Sequence, residues 1–273
     1  MEDKHIHLVS DATGETVNSV AKACLVQFDD LNIIEHAWPL IRSDVQMERV
    51  LEGIAARPGI VLGTLVNDEL RKQLQEGCKK LDVPFVPVLD PVLATLTKVW
   101  GSEAGNLPGR QHAMDDEYFK RIDAMHFVMS HDDGQSAETL READIIILGV
   151  SRTSKTPTCV YLANRGLKAA NVPIVPGCPL PPELELSKEP LIVGLTKDPQ
   201  RLVQIRKNRL RMLNQMEDTD YVDLETVIEE VKEARRLYTR RGWPIIDVSR
   251  KSIEETTAAI VQLYKTHRES AND

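Results

Sequence analysis

The sequence contains few aromatic residues, widely spaced cysteines and no long apolar run. Aromatic residues make up only 4% of the 273 positions, so any core must consist mainly of aliphatic side chains. The four cysteines form no Cys-x-x-Cys pair, which favours reduced thiols over disulfides or a zinc site. No stretch reaches the roughly 18 apolar residues of a membrane helix, and the N-terminus lacks the basic opening of a signal peptide. We therefore expect a cytoplasmic protein with no membrane partner.

The charge balance is acidic, with a formal net charge of −8 and a pI near 5.5. Such a chain has no overall positive field that would attract nucleic acid, so we expect no nucleic-acid partner. Hydrophobic residues at 42% and charged residues at 28% are typical of a globular protein. The length fits one large α/β domain or two smaller ones.

The first 110 residues alternate between strand and helix patterns. Strands are predicted at 5–10, 36–41, 59–66 and 84–88, and helices at 15–28, 43–56 and 67–81. This order predicts βαβ units and a parallel sheet. The segment 101–116 interrupts the pattern with Gly, Pro, Asn and Gln, so we place a domain junction there and divide the chain into domains 1–110 and 111–273.

The second domain starts with a predicted helix at 115–125 and a short strand at 127–130. The aliphatic run of residues 144–149 predicts a strand covered on both faces, followed by a helix to about residue 165. Further strands are predicted at 172–175, 191–196 and 244–249, and helices at 200–213, 224–241 and 252–264.

The junction between the buried strand and its helix resembles a phosphate-binding loop. The consensus is Gly, four residues, then Gly-Lys-Ser/Thr. Here the candidate nucleotide-binding residues are Gly149, Val150, Ser151, Arg152, Thr153, Ser154, Lys155 and Thr156. Lys155 would contribute charge and Thr156 a Mg²⁺ ligand. Ser154 replaces the second glycine and cannot adopt φ > 0 as cheaply, so the loop geometry is expected to differ. We predict an α/β protein, with a parallel-sheet N-terminal region followed by a P-loop kinase-like αβα domain.

Three other segments carry candidate residues whose roles stay open. Asp132 and Asp133 follow the predicted strand 127–130 and either serve the loop as catalytic carboxylates or form a polar turn. Asp11 follows the first strand, in either a ligand-binding loop or a capping turn. The basic helix carries several cations that form a lid closing on transferred phosphate, a solvated face or a docking surface for an acidic protein: Arg201, Arg206, Lys207, Arg209 and Arg211.

Four motifs together resemble the bacterial pyruvate, phosphate dikinase regulatory proteins. They are His7-Leu-Val-Ser-Asp-Ala-Thr-Gly-Glu-Thr16, His131-Asp-Asp-Gly134, Gly149-Val-Ser-Arg-Thr-Ser-Lys-Thr-Pro157 and Ala169-Ala-Asn-Val-Pro173. The resemblance covers nearly the whole chain. It implies a bifunctional serine/threonine kinase and phosphorylase. The kinase inactivates the dikinase by ADP-dependent phosphorylation of a threonine, and the phosphorylase reactivates it with inorganic phosphate, releasing pyrophosphate.

The resemblance extends to two branches that differ in their protein substrate. A sister branch acts on phosphoenolpyruvate synthase and tends to keep Gly-Lys in the loop, so Ser154-Lys155 favours the dikinase as partner. On this interpretation residues 151–156 cradle the diphosphate of ADP in one direction and pyrophosphate in the other. Lys155 and Mg²⁺ at Thr156 would neutralise charge, and Asp132 or Asp133 would act as base.

Two other function classes fit the same residues. One is a small-molecule P-loop kinase, and the other is a nucleotide-sensing binding protein without catalysis. A homodimer is compatible with the sequence, which does not determine the oligomeric state.

Overall fold

A computed structural model describes residues 3–105, 107–109, 116–186, 189–214 and 219–272. Internal contacts divide the chain into two compact units, Met1–Ala113 and Met114–Asp273. The sequence placed the junction between residues 110 and 111. Within the predicted junction 101–116, residues 106 and 110–115 lie outside the described residues, as does residue 115 of the predicted helix 115–125.

The first unit is a parallel sheet flanked by helices. Its strands are β1 Lys4–Ser10, β2 Ile33–Trp38, β3 Ile60–Thr64 and β4 Phe85–Pro87, in the order β2-β1-β3-β4. The helices are α1 Glu15–Leu25, α2 Asp44–Ala56, α3 Asp68–Lys80 and α4 Asp90–Trp100. The sequence prediction lacked α4, in which no residue is buried although Val92, Leu93, Leu96, Val99 and Trp100 recur at helical spacing.

Helices cover both faces of this sheet. Val9, Val61, Met47 and Leu74 belong to the core beneath α2 and α3. Ile6, Leu8, Leu62 and Val17 form the smaller cluster beneath α1. Successive strand residues face opposite sides of a sheet, so even-numbered positions of β1 and β3 face α1.

The second unit contains a second four-stranded parallel sheet, ordered β6-β5-β7-β8. Its strands are β5 Ile145–Gly149, β6 Ala169–Pro173, β7 Leu191–Thr196 and β8 Ile245–Asp247. The helices are α5 Asp116–Ser130, α6 Lys155–Ala163, α7 Glu183–Leu186, α8 Pro199–Met212, α9 Leu224–Arg241 and α10 Ile253–Asn272. Short 3₁₀ segments occupy Asp132–Gly134, Ala137–Glu142 and Asp220–Val222.

The central strand β5 is fully buried, as its aliphatic run predicted. The two faces of the sheet bury separate clusters, one containing Ile146 and Leu148 and the other Ile145 and Ile147. The predicted α/β class with a P-loop kinase-like unit is confirmed. The predicted strand at 127–130 is wrong, because these residues form the last turn of α5. A short apolar run does not by itself distinguish a strand from a buried helical turn.

No helix in the described ranges combines the length and apolar character required to cross a membrane.

Candidate active site

The loop between β5 and α6 keeps the glycine-like conformation although Ser154 stands at the glycine position. Ser154 has φ 65° and ψ 27°, and Arg152 also has a positive φ of 71°. The sequence predicted that the serine would change the loop geometry by avoiding such angles. Instead, Ser154 itself adopts the left-handed conformation, which is unfavourable for a residue with a Cβ atom. The loop therefore retains this turn at the cost of local backbone strain.

Gly149 is required at the start of the loop because a side chain would collide with the loop itself. A Cβ atom there would lie 2.5 Å from Thr153 Oγ1 and 3.3 Å from the Leu195 carbonyl oxygen. The Thr153 hydroxyl is fully buried and donates to the Val150 carbonyl at 2.9 Å. The glycine thus lets the loop fold back closely over the end of β5.

Lys155 is the first residue of α6 and is almost completely buried, with 6% of its surface exposed. Its Nζ donates to the Val150 carbonyl at 3.2 Å, so the side chain folds over the loop. Burial lowers the pKa of Lys155 to about 8, and the negative charges of Asp133 and Asp132 only partly oppose that shift. A buried ammonium of this kind gains from an anionic neighbour.

Two carboxylates meet the first turn of α6 from the other side. Thr156 Oγ1 donates to Asp132 Oδ1 at 2.9 Å. Asn171 Nδ2, from the middle of β6, lies 2.5 Å from Asp132 Oδ1, 3.3 Å from Asp133 Oδ1 and 3.0 Å from Thr156 Oγ1. The turn that carries the carboxylates is fixed to β6, because the Asn171 N–H donates to the His131 carbonyl at 3.0 Å.

The sequence placed Asp132 and Asp133 beside the loop at the end of a strand. The structure brings them there from the end of helix α5, where Asp133 has φ 49° and Gly134 has φ 79°. A left-handed turn, tolerated by Asp and Gly, redirects the chain after the helix.

The loop and Asp133 border one cleft of about 330 Å³. Its lining includes Asp133, Ser151, Arg152, Lys155 and Thr156, together with Ser154, Pro157, Pro173, Lys197 and Ile205. Three cationic side chains thus line a cleft that the N-terminal turn of α6 also faces, an arrangement suited to phosphate. Gly149, Val150 and Thr153 do not line this cleft; they contribute to the loop through their contacts with one another.

The basic helix α8 supports the loop instead of presenting Arg206 to the cleft. Arg206 is 1% exposed and pairs with Glu230 at 2.7 Å. It also donates to the Ser151 carbonyl at 3.3 Å and lies over the ring of Tyr221, whose hydroxyl is 3.0 Å from Ser151 Oγ. Arg206 is therefore a buried residue that holds the Ser151 backbone in position, and it cannot act as a mobile lid residue. Arg201 donates to the Ser249 carbonyl at 2.7 Å.

Sequence reasoning missed Asn171, Lys197 and Tyr221. Asn171 carried a usable signal, because it is a polar residue in the centre of the otherwise apolar strand Ala169–Pro173. Lys197 directly follows β7, at the same sheet edge as the loop, and burial lowers its pKa. Tyr221 lies on a short 3₁₀ segment and had no recognisable pattern.

The residues at the mouth of the loop fit a hard divalent cation. Thr156 Oγ1 and Asp132 Oδ1 are oxygen donors within hydrogen-bond distance of each other, and oxygen donors are what Mg²⁺ prefers. Beside them, Asn171 Oδ1 is buried and has no hydrogen-bond partner among the residues that the structure describes.

Comparison with known proteins identifies the family of the chain. A family model described as kinase/pyrophosphorylase matches residues 6–261. The chain is 58% identical over 269 residues to a protein of Paramagnetospirillum magneticum, covering 98% of this chain and 86% of the relative. It is 51% identical to a Rhodospirillum rubrum protein, covering 97% of each chain, and 51% identical to a Caulobacter vibrioides protein, covering 97% of this chain and 84% of the relative. All three bear the name "putative pyruvate, phosphate dikinase regulatory protein".

Proposed function

The chain belongs to the kinase/pyrophosphorylase family, the group its motifs predicted, and from this premise we propose that it is an ADP-dependent protein threonine kinase and phosphate-dependent phosphorylase acting on pyruvate, phosphate dikinase. In the forward reaction a threonine hydroxyl of the dikinase attacks the β-phosphorus of ADP. The bond from that phosphorus to the bridging oxygen breaks, AMP leaves and the hydroxyl proton passes to a base. In the second reaction an oxygen of inorganic phosphate attacks the phosphorus of the phosphothreonine, and the bond from that phosphorus to the threonine oxygen breaks. The threonine oxygen takes back a proton from the same acid–base group, which gives pyrophosphate and the free hydroxyl.

The observation that carries this proposal is that Lys155, Thr156 and Asp133 line one cleft, while Asp132 accepts a hydrogen bond from Thr156 Oγ1. Both reactions handle a diphosphate, either within ADP or as pyrophosphate, so one loop can serve both. Residues 151–156 bind the diphosphate oxygens, and the Lys155 ammonium, now held on the Val150 carbonyl, turns to them. Charge stabilisation of the transferred group by such fixed donors is the main catalytic contribution in phosphoryl transfer.

The two carboxylates take different roles because their contacts differ. Asp132 accepts hydrogen bonds from Thr156 and Asn171, which hold its carboxylate beside the Thr156 hydroxyl. Asp132 and Thr156 would therefore be the residues that hold Mg²⁺. When bound, the metal supplies positive charge to the phosphate oxygens. Asp133 lines the cleft, and its hydrogen bond within the described part of the chain is the longer 3.3 Å contact with Asn171. Asp133 is therefore the group that accepts the threonine proton.

The proposal is tested with ADP radiolabelled at its β position, purified dikinase and this protein. Label should appear on a dikinase threonine, and adding inorganic phosphate should release it as pyrophosphate. Labelling of phosphoenolpyruvate synthase instead of the dikinase would move the chain to the sister branch. Transfer from ATP alone, labelling of a metabolite only, or tight ADP binding without turnover would refute the proposed activity.

Single substitutions test the shared cradle and the separate carboxylate roles. Lys155→Ala should reduce both activities at least about a hundredfold, as removal of a preorganised charge donor does elsewhere. Lys232→Ala, on the exposed face of α9, is the matched control and should leave both rates unchanged. Asp133→Asn should reduce the forward rate at saturating Mg²⁺, whereas Asp132→Asn should raise the Mg²⁺ concentration needed for half-maximal rate. A Lys155→Ala variant that lost the kinase but kept full phosphorylase would exclude one common cradle.

A further inference from the structure

Lys197 lines the same cleft as the loop, but the proposed function gives it no role. It directly follows the last residue of β7, Thr196. The backbone on both sides of Lys197 is fixed. The Thr196 carbonyl accepts from the Val248 N–H at 2.9 Å, and the Asp198 N–H donates to Ser249 Oγ at 2.8 Å. The Lys197 side chain therefore starts from a firmly held position at the edge of the sheet.

The residues around Lys197 do not satisfy its ammonium group. Within the described part of the chain, Lys197 Nζ makes no hydrogen bond and no ion pair. Burial lowers the pKa of Lys197 and repulsion from Arg201 lowers it further, whereas attraction to Asp247 only partly opposes these effects. Both neighbours have another partner, because Arg201 donates to the Ser249 carbonyl and Asp247 Oδ1 accepts from the Ser249 N–H. A half-buried ammonium of this kind gains from a bound anion.

The strand order places Lys197 and the two carboxylates on opposite sides of the loop. Strand β5, which carries the loop, lies between β6 and β7. Asp132 and Asp133 lie on the β6 side, because the Asn171 side chain of β6 contacts both. Lys197 lies on the β7 side. The loop therefore has carboxylates that can accept a proton on one side and a cation on the other.

Phosphoryl transfer needs two oxygens on opposite sides of the phosphorus, because the attacking and leaving oxygens lie roughly in line. With Asp133 as the group that takes the threonine proton, the threonine oxygen lies on the β6 side of the phosphorus. The oxygen of the second phosphate group then lies on the β7 side, where Lys197 lines the cleft. That second group is the α-phosphate of ADP in the kinase reaction and inorganic phosphate in the phosphorylase reaction.

On the basis of the proposed function, we infer that Lys197 binds this second phosphate group and thereby determines the affinity for inorganic phosphate. In the kinase reaction the ammonium stabilises the negative charge that forms on the AMP oxygen when its bond to the β-phosphorus breaks. In the phosphorylase reaction it holds the inorganic phosphate whose oxygen attacks the phosphothreonine. Inorganic phosphate has no nucleoside that could add contacts, so its binding depends on Lys197 more than the binding of ADP does.

Steady-state kinetics of Lys197→Met, which removes the ammonium and keeps the side-chain length, test this role. The KM for inorganic phosphate should rise about tenfold or more, the effect of losing one hydrogen bond to a charged group, and the KM for ADP should rise less. Lys197→Arg keeps the charge and should recover part of the affinity. Lys232→Met, the same change on the exposed face of α9, should leave both constants unchanged.

The thermal stability of Lys197→Met separates lost phosphate binding from a folding defect. Because Lys197 has no hydrogen bond or ion pair to lose among the described residues, its replacement should not lower the Tm. An unchanged KM for inorganic phosphate, or an equal rise in the KM values of inorganic phosphate and ADP, would overturn the inference.

Isothermal titration with pyrophosphate and Mg²⁺, without dikinase or nucleotide, gives a readout that does not require the proposed activity. Pyrophosphate contains both phosphate groups, so Lys197→Met should weaken its binding about tenfold or more, and Lys232→Met should not. Weaker binding in Lys197→Met, together with no transfer from ADP by the parent, would support the role of Lys197 and refute the proposed activity. Equal binding by Lys197→Met and a parent that has both activities would overturn the inference and leave the proposed activity intact.

Discussion

Replacing Ser154 by glycine should stabilise the second unit. Ser154 holds φ at 65°, and the left-handed conformation costs a residue with a Cβ atom about 1–2 kcal/mol. Glycine removes this strain but makes the unfolded chain more flexible, which costs about 0.4–1 kcal/mol. The expected net gain in the free energy of unfolding is about 0.5–1 kcal/mol. For a unit the size of Met114–Asp273, this corresponds to a rise in Tm of about 1–4 °C.

The assay must follow the second unit alone, because two units need not unfold together. Trp38, Trp100 and Trp243 are the three tryptophans of the chain, so Trp38→Phe/Trp100→Phe leaves only Trp243, which packs against the core of the second unit. Urea unfolding followed by Trp243 fluorescence then compares Ser154→Gly with the parent. Ser154→Ala, which loses the hydroxyl but keeps the Cβ atom, is the matched control and should show no gain. Equal stabilities of the glycine and alanine variants would refute the claim that Ser154 is strained.

Three further substitutions probe the groups around the loop. Arg206→Met should destabilise the second unit by about 3–5 kcal/mol in urea, because it leaves Glu230 buried without its partner, whereas Arg236→Met, whose pair with Glu229 is exposed, should cost less than about 1 kcal/mol. Gly149→Ala should cost about 1–3 kcal/mol through its collision with Thr153 Oγ1, and Thr153→Ala should recover part of that loss. The folded-state pKa of Lys155 is about 8, below its unfolded value, so the unfolded chain binds more protons between pH 8 and about 10.5. Deprotonation should therefore stabilise the parent relative to Lys155→Met as pH rises through that window, and parallel stability curves for the two proteins would contradict the burial argument.

Elements with strong local patterns could be predicted from the sequence. Residues 191–196 and 224–241 match β7 and α9 residue for residue, because a short run with β-branched residues bounded by Pro190 and Pro199 favours a strand and a long amphipathic stripe favours a helix. The run Ile145–Leu148, followed by glycine and a helix, likewise located the loop. Helix α4 was missed although Val92, Leu96 and Val99 follow helical spacing, and the end of α5 was mistaken for a strand.

The carboxylates show why a correct position can follow from an incorrect local structure. Asp132 and Asp133 do lie beside the loop, but a helix end and a left-handed turn place them there. Because the two aspartates come shortly before β5 in the chain, they could lie only near the loop that follows this strand. The contact between Asp132 and Thr156 also depends on Asn171 in β6, which lies within hydrogen-bond distance of both. Such a contact between three separate segments has no local pattern, so the sequence could not choose between the catalytic and turn interpretations.

Arg206, by contrast, had a readable signal in the sequence. Leu202, Arg206 and Leu210 are spaced by four residues, so all three lie on one face of α8, and all three are buried. A cation on an apolar face must be paired when the helix packs, and Glu230 from α9 provides the partner. The same reasoning excludes a contact between Arg206 and the transferred phosphate. The guanidinium binds the Glu230 carboxylate and the carbonyl oxygens of Tyr221 and Ser151, and moving it away would leave these three groups without their donor. Among the cations of this helix, phosphate contact would therefore have to come from the solvent-facing positions.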